Sequence, residues 1–132
     1  MNFIKFALLK VNFFVNRDFK QDNPDATIAP EIALSHEFRQ EEKQLLVILG
    51  VRQLTENIPY HFEVESAGLF QFDNIPEEKL LNQMAIINCP AILFPYVRET
   101  IADLTRRAGF PPLHLNPVNF IQLAKDQASK PS

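Results

Sequence analysis

Cys89 is the chain's one cysteine and the first residue to weigh for chemistry, because a thiolate is the most nucleophilic group a side chain offers. It directly precedes Pro90 among apolar residues and no signature pairs it with a histidine, so it reads as a buried structural thiol. His36, His61 and His114 could converge on a metal ion, yet each falls in a different element and none shows ligand spacing with another. Glu63 and Glu65 stand two apart, which puts both carboxylates on one strand face and could serve acid and base work. The same spacing is what a solvated strand face shows. Gly50, Gly68 and Gly109 are too far apart to cradle a phosphate, so neither nucleotide motif can be written. These residue types point away from covalent catalysis, and no metal or organic cofactor is expected.

The elements that carry these residues belong to one small domain. A length of 132 residues suits a single unit over 1–126 with a small polar, flexible tail over 127–132. With 46% hydrophobic and 22% charged residues the chain is a folded protein, and a net charge of -3 leaves no basic stripe for nucleic acid. Twelve Phe against 2 Tyr and no Trp, several on the outward side of strands, suggest exposed or interfacial aromatics. A lone cysteine fits a reducing compartment, the cytoplasm. Lys5, Lys10 and Asn12 interrupt the apolar N-terminus, which reads as a strand and not as a signal peptide, and no uninterrupted apolar run approaches the ~20 residues that cross a bilayer.

Period-two patterning predicts four strands. Ala7, Leu9, Val11, Phe13 and Val15 form the inward face of a first, with Lys10 and Asn12 opposite. Ile28, Pro30, Ile32, Leu34, His36 and Phe38 mark a second, and the run Leu45 to Val51, apolar on both faces, a third. Ile58, Tyr60, Phe62 and Val64 begin a fourth, in which Gly68 allows a bulge or bend. Beyond Asn74 the period becomes helical: Pro76 and Glu77 open a helix that Cys89 and Pro90 interrupt, and Leu93, Val97, Ile101, Leu104 and Ala108 stripe a longer one ending at Gly109. Pro95 should kink it or mark its true first turn. The charged residues Arg98, Glu99, Asp103, Arg106 and Arg107 read as its wet side. Two prolines make 110–115 extended, and Asn116 with Pro117 caps a last short helix containing Phe120 and Leu123. The fold class is α+β with a mostly antiparallel sheet. One helical layer covers one sheet face, so the doubly apolar third strand implies further cover, such as another subunit.

The segment Asn88-Cys89-Pro90-Ala91-Ile92-Leu93-Phe94-Pro95-Tyr96-Val97-Arg98-Glu99, followed by Phe110-Pro111 and by Leu113-His114-Leu115-Asn116-Pro117-Val118-Asn119-Phe120, closely resembles the signature region of the SecB protein-export chaperones. Upstream the resemblance keeps order through Pro30-Glu31-Ile32, Phe62-Glu63-Val64 and Gly68-Leu69-Phe70, so it covers nearly the whole chain.

The resemblance implies a four-stranded antiparallel sheet with helices on one face, dimers that join sheets, and a homotetramer built as a dimer of dimers. It implies an ATP-independent holdase that binds unfolded or partly folded polypeptides in apolar grooves and passes them to the SecA translocation motor. On matching positions Ile28, Ile32, Leu34, Tyr60, Tyr96 and Phe120 would line the groove, Phe62 and Val64 would meet the partner subunit, and Glu63 would help dock the motor. Family members carry further acids on the first strand where this chain has Val11 and Val15, with Lys10, Arg17 and Lys20 nearby. Charge complementarity to the motor is reduced accordingly. A chaperone serving a narrow client such as an antitoxin, and a small-molecule-binding α+β domain, remain as alternative readings.

Overall fold

The computed structural model describes residues 1–20 and 29–129. The chain runs β1 (Asn2–Val15), β2 (Ile32–Glu41), β3 (Gln44–Gln53), β4 (Tyr60–Gln71), α1 (Glu78–Gln83), a π-helical turn (Met84–Asn88), α2 (Cys89–Arg107) and α3 (Phe120–Ser129). The strands form one antiparallel sheet in the order β1-β4-β3-β2, so the first strand leaves its sequence neighbour and pairs with the fourth.

Strict alternation along β3 and β4 splits the sheet into two faces. Leu45, Val47, Leu49 and Val51 pair in register with Phe70, Gly68, Ser66 and Val64, and all of them are buried beneath the helices. Leu46, Ile48, Arg52, Glu63, Glu65 and Leu69 point to the other side and keep some exposure. The doubly apolar third strand is therefore covered by helices on one face only.

β1 begins at Asn2, earlier than its alternation suggests, and its register against β4 slips between Phe3 and Lys5 and again between Leu8 and Lys10. Ile4 and Leu9 are the extra residues of two bulges, and each resets which side chains face the helices. Phe3, Phe6 and Leu8 thus share the helical side with Val11, Phe13 and Val15, whereas the single odd-numbered face expected for this strand does not form. Leu9 and Val11 are exposed in the chain by itself.

Gly68 is not a bend, since β4 pairs regularly through it. A Cβ at Gly68 would stand 2.5 Å from Leu93 Cδ2, so the missing side chain is what lets α2 lie close on β4. Leu93, Val97 and Ile101 then lose all exposure, each contributing roughly 1.5–3 kcal/mol of apolar burial. The expected stripe continues differently at its end: Thr105, not Leu104, takes the fully buried position. Its hydroxyl reaches the carbonyls of Ile101 and Ala102 and accepts from the Leu113 N–H at 2.9 Å, which satisfies the buried oxygen and tethers the extended segment to the helix.

Cys89 and Pro90 do not break the helical run. Proline has no N–H to offer the preceding turn, and the backbone meets that loss by widening into the π turn at Met84–Asn88 before α2 starts. The joined run Glu78–Arg107 has a stretch of mean hydropathy 1.4, apolar enough by length and composition to cross a bilayer. In the fold its apolar side, through Leu81, Leu93 and Val97, is spent on the sheet. At the far end Gly109 takes φ +93, and the Phe110 N–H turns back to the Thr105 carbonyl at 3.1 Å. The side chain of Asn119, one turn later than the Asn116 expected there, caps α3 by accepting from the Gln122 N–H at 3.0 Å. α3 extends to Ser129, past the expected domain end at 126.

Candidate functional site

The residues expected to line a groove separate in the fold. Tyr60 opens β4 and is 2% exposed, enclosed by Phe13 at 5.8 Å, Phe110 at 5.2 Å and Phe62 at 6.3 Å between ring centroids. Its remaining surface forms part of a cleft of about 670 Å³ shared with Phe14, Val15, Arg17, Ile58 and His61. Burial pushes the Tyr60 hydroxyl above its ordinary pKa, so it stays a neutral donor and acceptor at physiological pH.

Ile32 lies in a second cleft of about 400 Å³, with Leu54, Leu115, Pro117 and Val118. The two clefts flank one short stretch of chain: Gln53 borders the first and Leu54 the second. Gln53 anchors that stretch by donating from Nε2 to the Thr55 carbonyl at 2.6 Å and the Tyr60 carbonyl at 2.9 Å. Both partners are acceptors, which fixes the amide's orientation, and among the described residues Oε1 is left without a partner. On the other side the Leu54 N–H reaches the Glu31 carbonyl at 2.8 Å, and the Thr55 hydroxyl accepts from the Glu31 N–H at 2.8 Å. Neither Gln53 nor Leu54 carries a sequence signal of its own; only their position before a turn could have drawn attention.

Leu34 lies half-buried on the helical face of β2 against the core. Phe120 is a core residue, 5% exposed and edge-on to Phe94 at 6.0 Å. Tyr96 is 47% exposed on α2, apart from both clefts, and stacks on Phe6 at 4.8 Å while meeting Phe3 edge-on at 5.8 Å. Ile28 lies outside the described residues. The second cleft and Tyr96 are separate, mainly apolar surfaces, whereas the first cleft sets Phe14, Val15 and Ile58 among Asn16, Arg17, Asp18, Glu56 and His61, and Phe120 and most of Tyr60 belong to the core.

Phe62 and Val64 have no exposure and face the helices inside one chain, because alternation from Tyr60 commits even positions of β4 to the core. The side chains between them, Glu63 and Glu65, are the ones turned outward. Lys10 Nζ lies 3.1 Å from Glu63 Oε1, and Arg52 stands opposite Glu63 on β3. Arg98 also departs from the wet-side reading: it is half-buried and donates from Nε to the Leu115 carbonyl at 2.6 Å, closing the second cleft's wall. Asp103 does face solvent, paired with Arg106 and, at 3.4 Å, with Arg107.

Cys89 is fully buried, with Sγ 3.7 Å from Met1 Sδ. Desolvation pushes its thiol up to about 12, so at neutral pH it is a thiol with no nucleophilic form to offer. Among the described residues no group of three or more His, Cys, Asp and Glu could hold a metal ion. The chemistry this surface supports is adhesion: apolar side chains at the surface, with main-chain and amide groups beside them.

Known proteins resemble this chain in sequence and fold. The family model described as SecB, preprotein translocase subunit SecB, matches residues 13–130. A protein-export protein SecB of Acidithiobacillus ferrooxidans is 54% identical over 65 residues, 49% of this chain and 43% of that protein. Another, from Dechloromonas aromatica, is 38% identical over 123 residues, covering 79% of this chain and 80% of that one. The chain thus spans less than half of the first relative and most of the second. Among solved structures, a SecB-like chaperone of Mycobacterium tuberculosis in complex with an antitoxin peptide superposes with TM-score 0.65 at 24% identity, covering 89% of this chain and 88% of that one, which supports the fold. Signature segment, sheet, helical layer and a match over most of its length together place the chain in the SecB family.

Proposed function

We propose that the protein is a non-catalytic, ATP-independent chaperone that holds unfolded polypeptides in its apolar clefts and keeps them competent for export from the cytoplasm. The observation that carries this reading is the pair of clefts on either side of Gln53 and Leu54, walled by Tyr60, Ile58, Ile32 and Leu115. Such walls gain roughly 25 cal/mol per Å² of apolar area with little demand on sequence, which suits a binder of many unfolded clients. Several modest sites on one oligomer then act together through effective concentration. The long free edge of β1, with Leu8 and Val11 exposed beside it, supports sheet-to-sheet pairing of two chains and a tetramer built from such pairs.

A purified sample mixed with a chemically unfolded, slowly refolding substrate tests the reading without ATP. Refolding is expected to slow and light scattering to fall at one oligomer per substrate. A substrate that refolds and aggregates as though alone overturns it.

A second reading, a chaperone dedicated to a narrow client such as an antitoxin, is favoured by the ion pair on the open sheet face. Glu63 is the candidate contact for the SecA motor, and Lys10 offsets its charge. Recovery of bound proteins from cells separates the two, since one dominant small client supports the narrower role.

A further inference from the structure

Polar groups shut inside this fold are matched: Ser66 Oγ donates to the Leu49 carbonyl at 3.2 Å, and the Thr105 hydroxyl serves the main chain of Ile101, Ala102 and Leu113. Among the described residues, two groups that line the first cleft are not. Gln53 is 6% exposed, both its amide hydrogens go to the Thr55 and Tyr60 carbonyls, and its Oε1 meets no donor. Tyr60 is 2% exposed with its ring fixed among Phe13, Phe62 and Phe110, yet its hydroxyl bonds to no other described residue. The two are neighbours, since Gln53 Nε2 lies 2.9 Å from the Tyr60 carbonyl.

The rest of the cleft narrows what would satisfy them. Arg17 and His61 stand there with Asp18 and Glu56, so charge selects neither sign. Phe14, Val15 and Ile58 add apolar wall. A ligand for such a place is neutral, offers a donor and an acceptor close together, and carries apolar bulk. An extended polypeptide does so at every residue but proline, because the N–H and C=O of one residue point to the same side of the chain.

We propose that the first cleft reads the main chain of its client: one residue donates its N–H to Gln53 Oε1 and accepts from the Tyr60 hydroxyl through its carbonyl, while an apolar side chain lies on Phe14 and Ile58. Oε1 lies beneath the lining, so its bond forms with an outward turn of the Gln53 amide. Burial keeps the Tyr60 hydroxyl protonated, and so a donor, across the neutral range. A main-chain contact is blind to side-chain identity and adds affinity without narrowing the sequences held, save for proline at the contact residue. This inference rests on the client-holding reading of the clefts and adds to it which bonds hold the client.

Fluorescence anisotropy of labelled Ser-Thr-Leu-Phe-Thr-Thr-Ser, which has no side-chain amide, on the full chain tests the proposal. Ester analogues replace the N–H of Leu, of Phe or of the Thr that follows by oxygen, one at a time. One of the three is expected to bind about fivefold more weakly than the parent, the worth of one neutral hydrogen bond. Gln53→Met should erase that difference. Tyr60→Phe keeps the ring and its packing, and should weaken parent and esters alike about fivefold with little change in melting temperature. Ile121→Ser, exposed on α3 and outside both clefts, leaves every affinity as it was. Esters that all bind like the parent overturn the proposal, as does a difference that persists in Gln53→Met or an affinity untouched by Tyr60→Phe. Tighter binding on changing one Thr to Asn, with no cost for any ester, also overturns it, because the cleft would then read side-chain amides. If refolding of the unfolded substrate is slowed and the parent binds but the esters equal it, only this inference falls; if neither substrate nor parent is held, the chaperone reading falls with it.

Discussion

Arg98 Nε donates to the Leu115 carbonyl at 2.6 Å, so a charged group on α2 holds the extended segment that walls the second cleft. The same segment is held eight residues from Thr105 by its hydroxyl and the Leu113 N–H. Removing the charged donor leaves a carbonyl unpaired, and Arg98→Met should cost about 1–3 kcal/mol. Thermal unfolding measures the loss. Hydrogen exchange at 113–118 should accelerate more than at β3, and unchanged exchange there would contradict the tether.

The close approach of α2 to β4 at Gly68 makes a sharper demand. Gly68→Ala places a Cβ 2.5 Å from a Leu93 methyl and should destabilise by about 1–3 kcal/mol. Leu93→Ala costs stability alone, yet the double variant should lose clearly less than the sum, because the smaller side chain makes room for the new methyl. Urea denaturation of the four proteins reads the coupling.

Tyr96 and Tyr60 separate by exposure. Tyr96→Ser removes an exposed ring and should weaken client binding at least fivefold, about 1 kcal/mol, with little change in melting temperature. Tyr60→Ser opens a hole beside Phe13, Phe62 and Phe110 and should lower the melting temperature first. Equal losses of stability in the two variants would contradict this division.

Cys89 makes stability depend on alkali. Its folded-state pKa is raised from 9.0 to about 12, so between those values the unfolded chain gives up a proton that the folded chain keeps. The contribution is fully present below pH 9 and is lost as pH climbs toward 12. Wild type should therefore lose stability faster than Cys89→Val over that window, and the native thiol should resist iodoacetamide at pH 8. Parallel pH profiles for the two proteins would rule out the effect.

Much of the fold is legible in the sequence because Leu45 to Val51 is a short run apolar on both faces, β4 alternates from Tyr60 to Glu65, and the prolines of 90–117 restrict the backbone to few conformations. β1 is less legible, since a bulge changes the phase of alternation without changing composition: apolar residues stay apolar on both sides of Leu9. Thr105 is hidden for a related reason. Its polarity argues for the surface, and only the distant Leu113 N–H gives it a buried role. The clefts depend on loop closure, which brings Gln53 to the Tyr60 carbonyl and Leu54 to Glu31. Burial of Phe62 and Val64 follows from counting outward from Tyr60, once the helices are known to lie on that side.

The two bulges of β1 also bear on how the molecule avoids fibres. A straight edge of 14 residues with exposed Ile4, Leu8, Leu9 and Val11 would be a template onto which strand after strand could stack. The extra residues at Ile4 and Leu9 twist the backbone away from a flat repeat at two points, so an incoming strand must match both irregularities at once. The outer edge of the sheet is thereby kept from seeding strand-on-strand stacking.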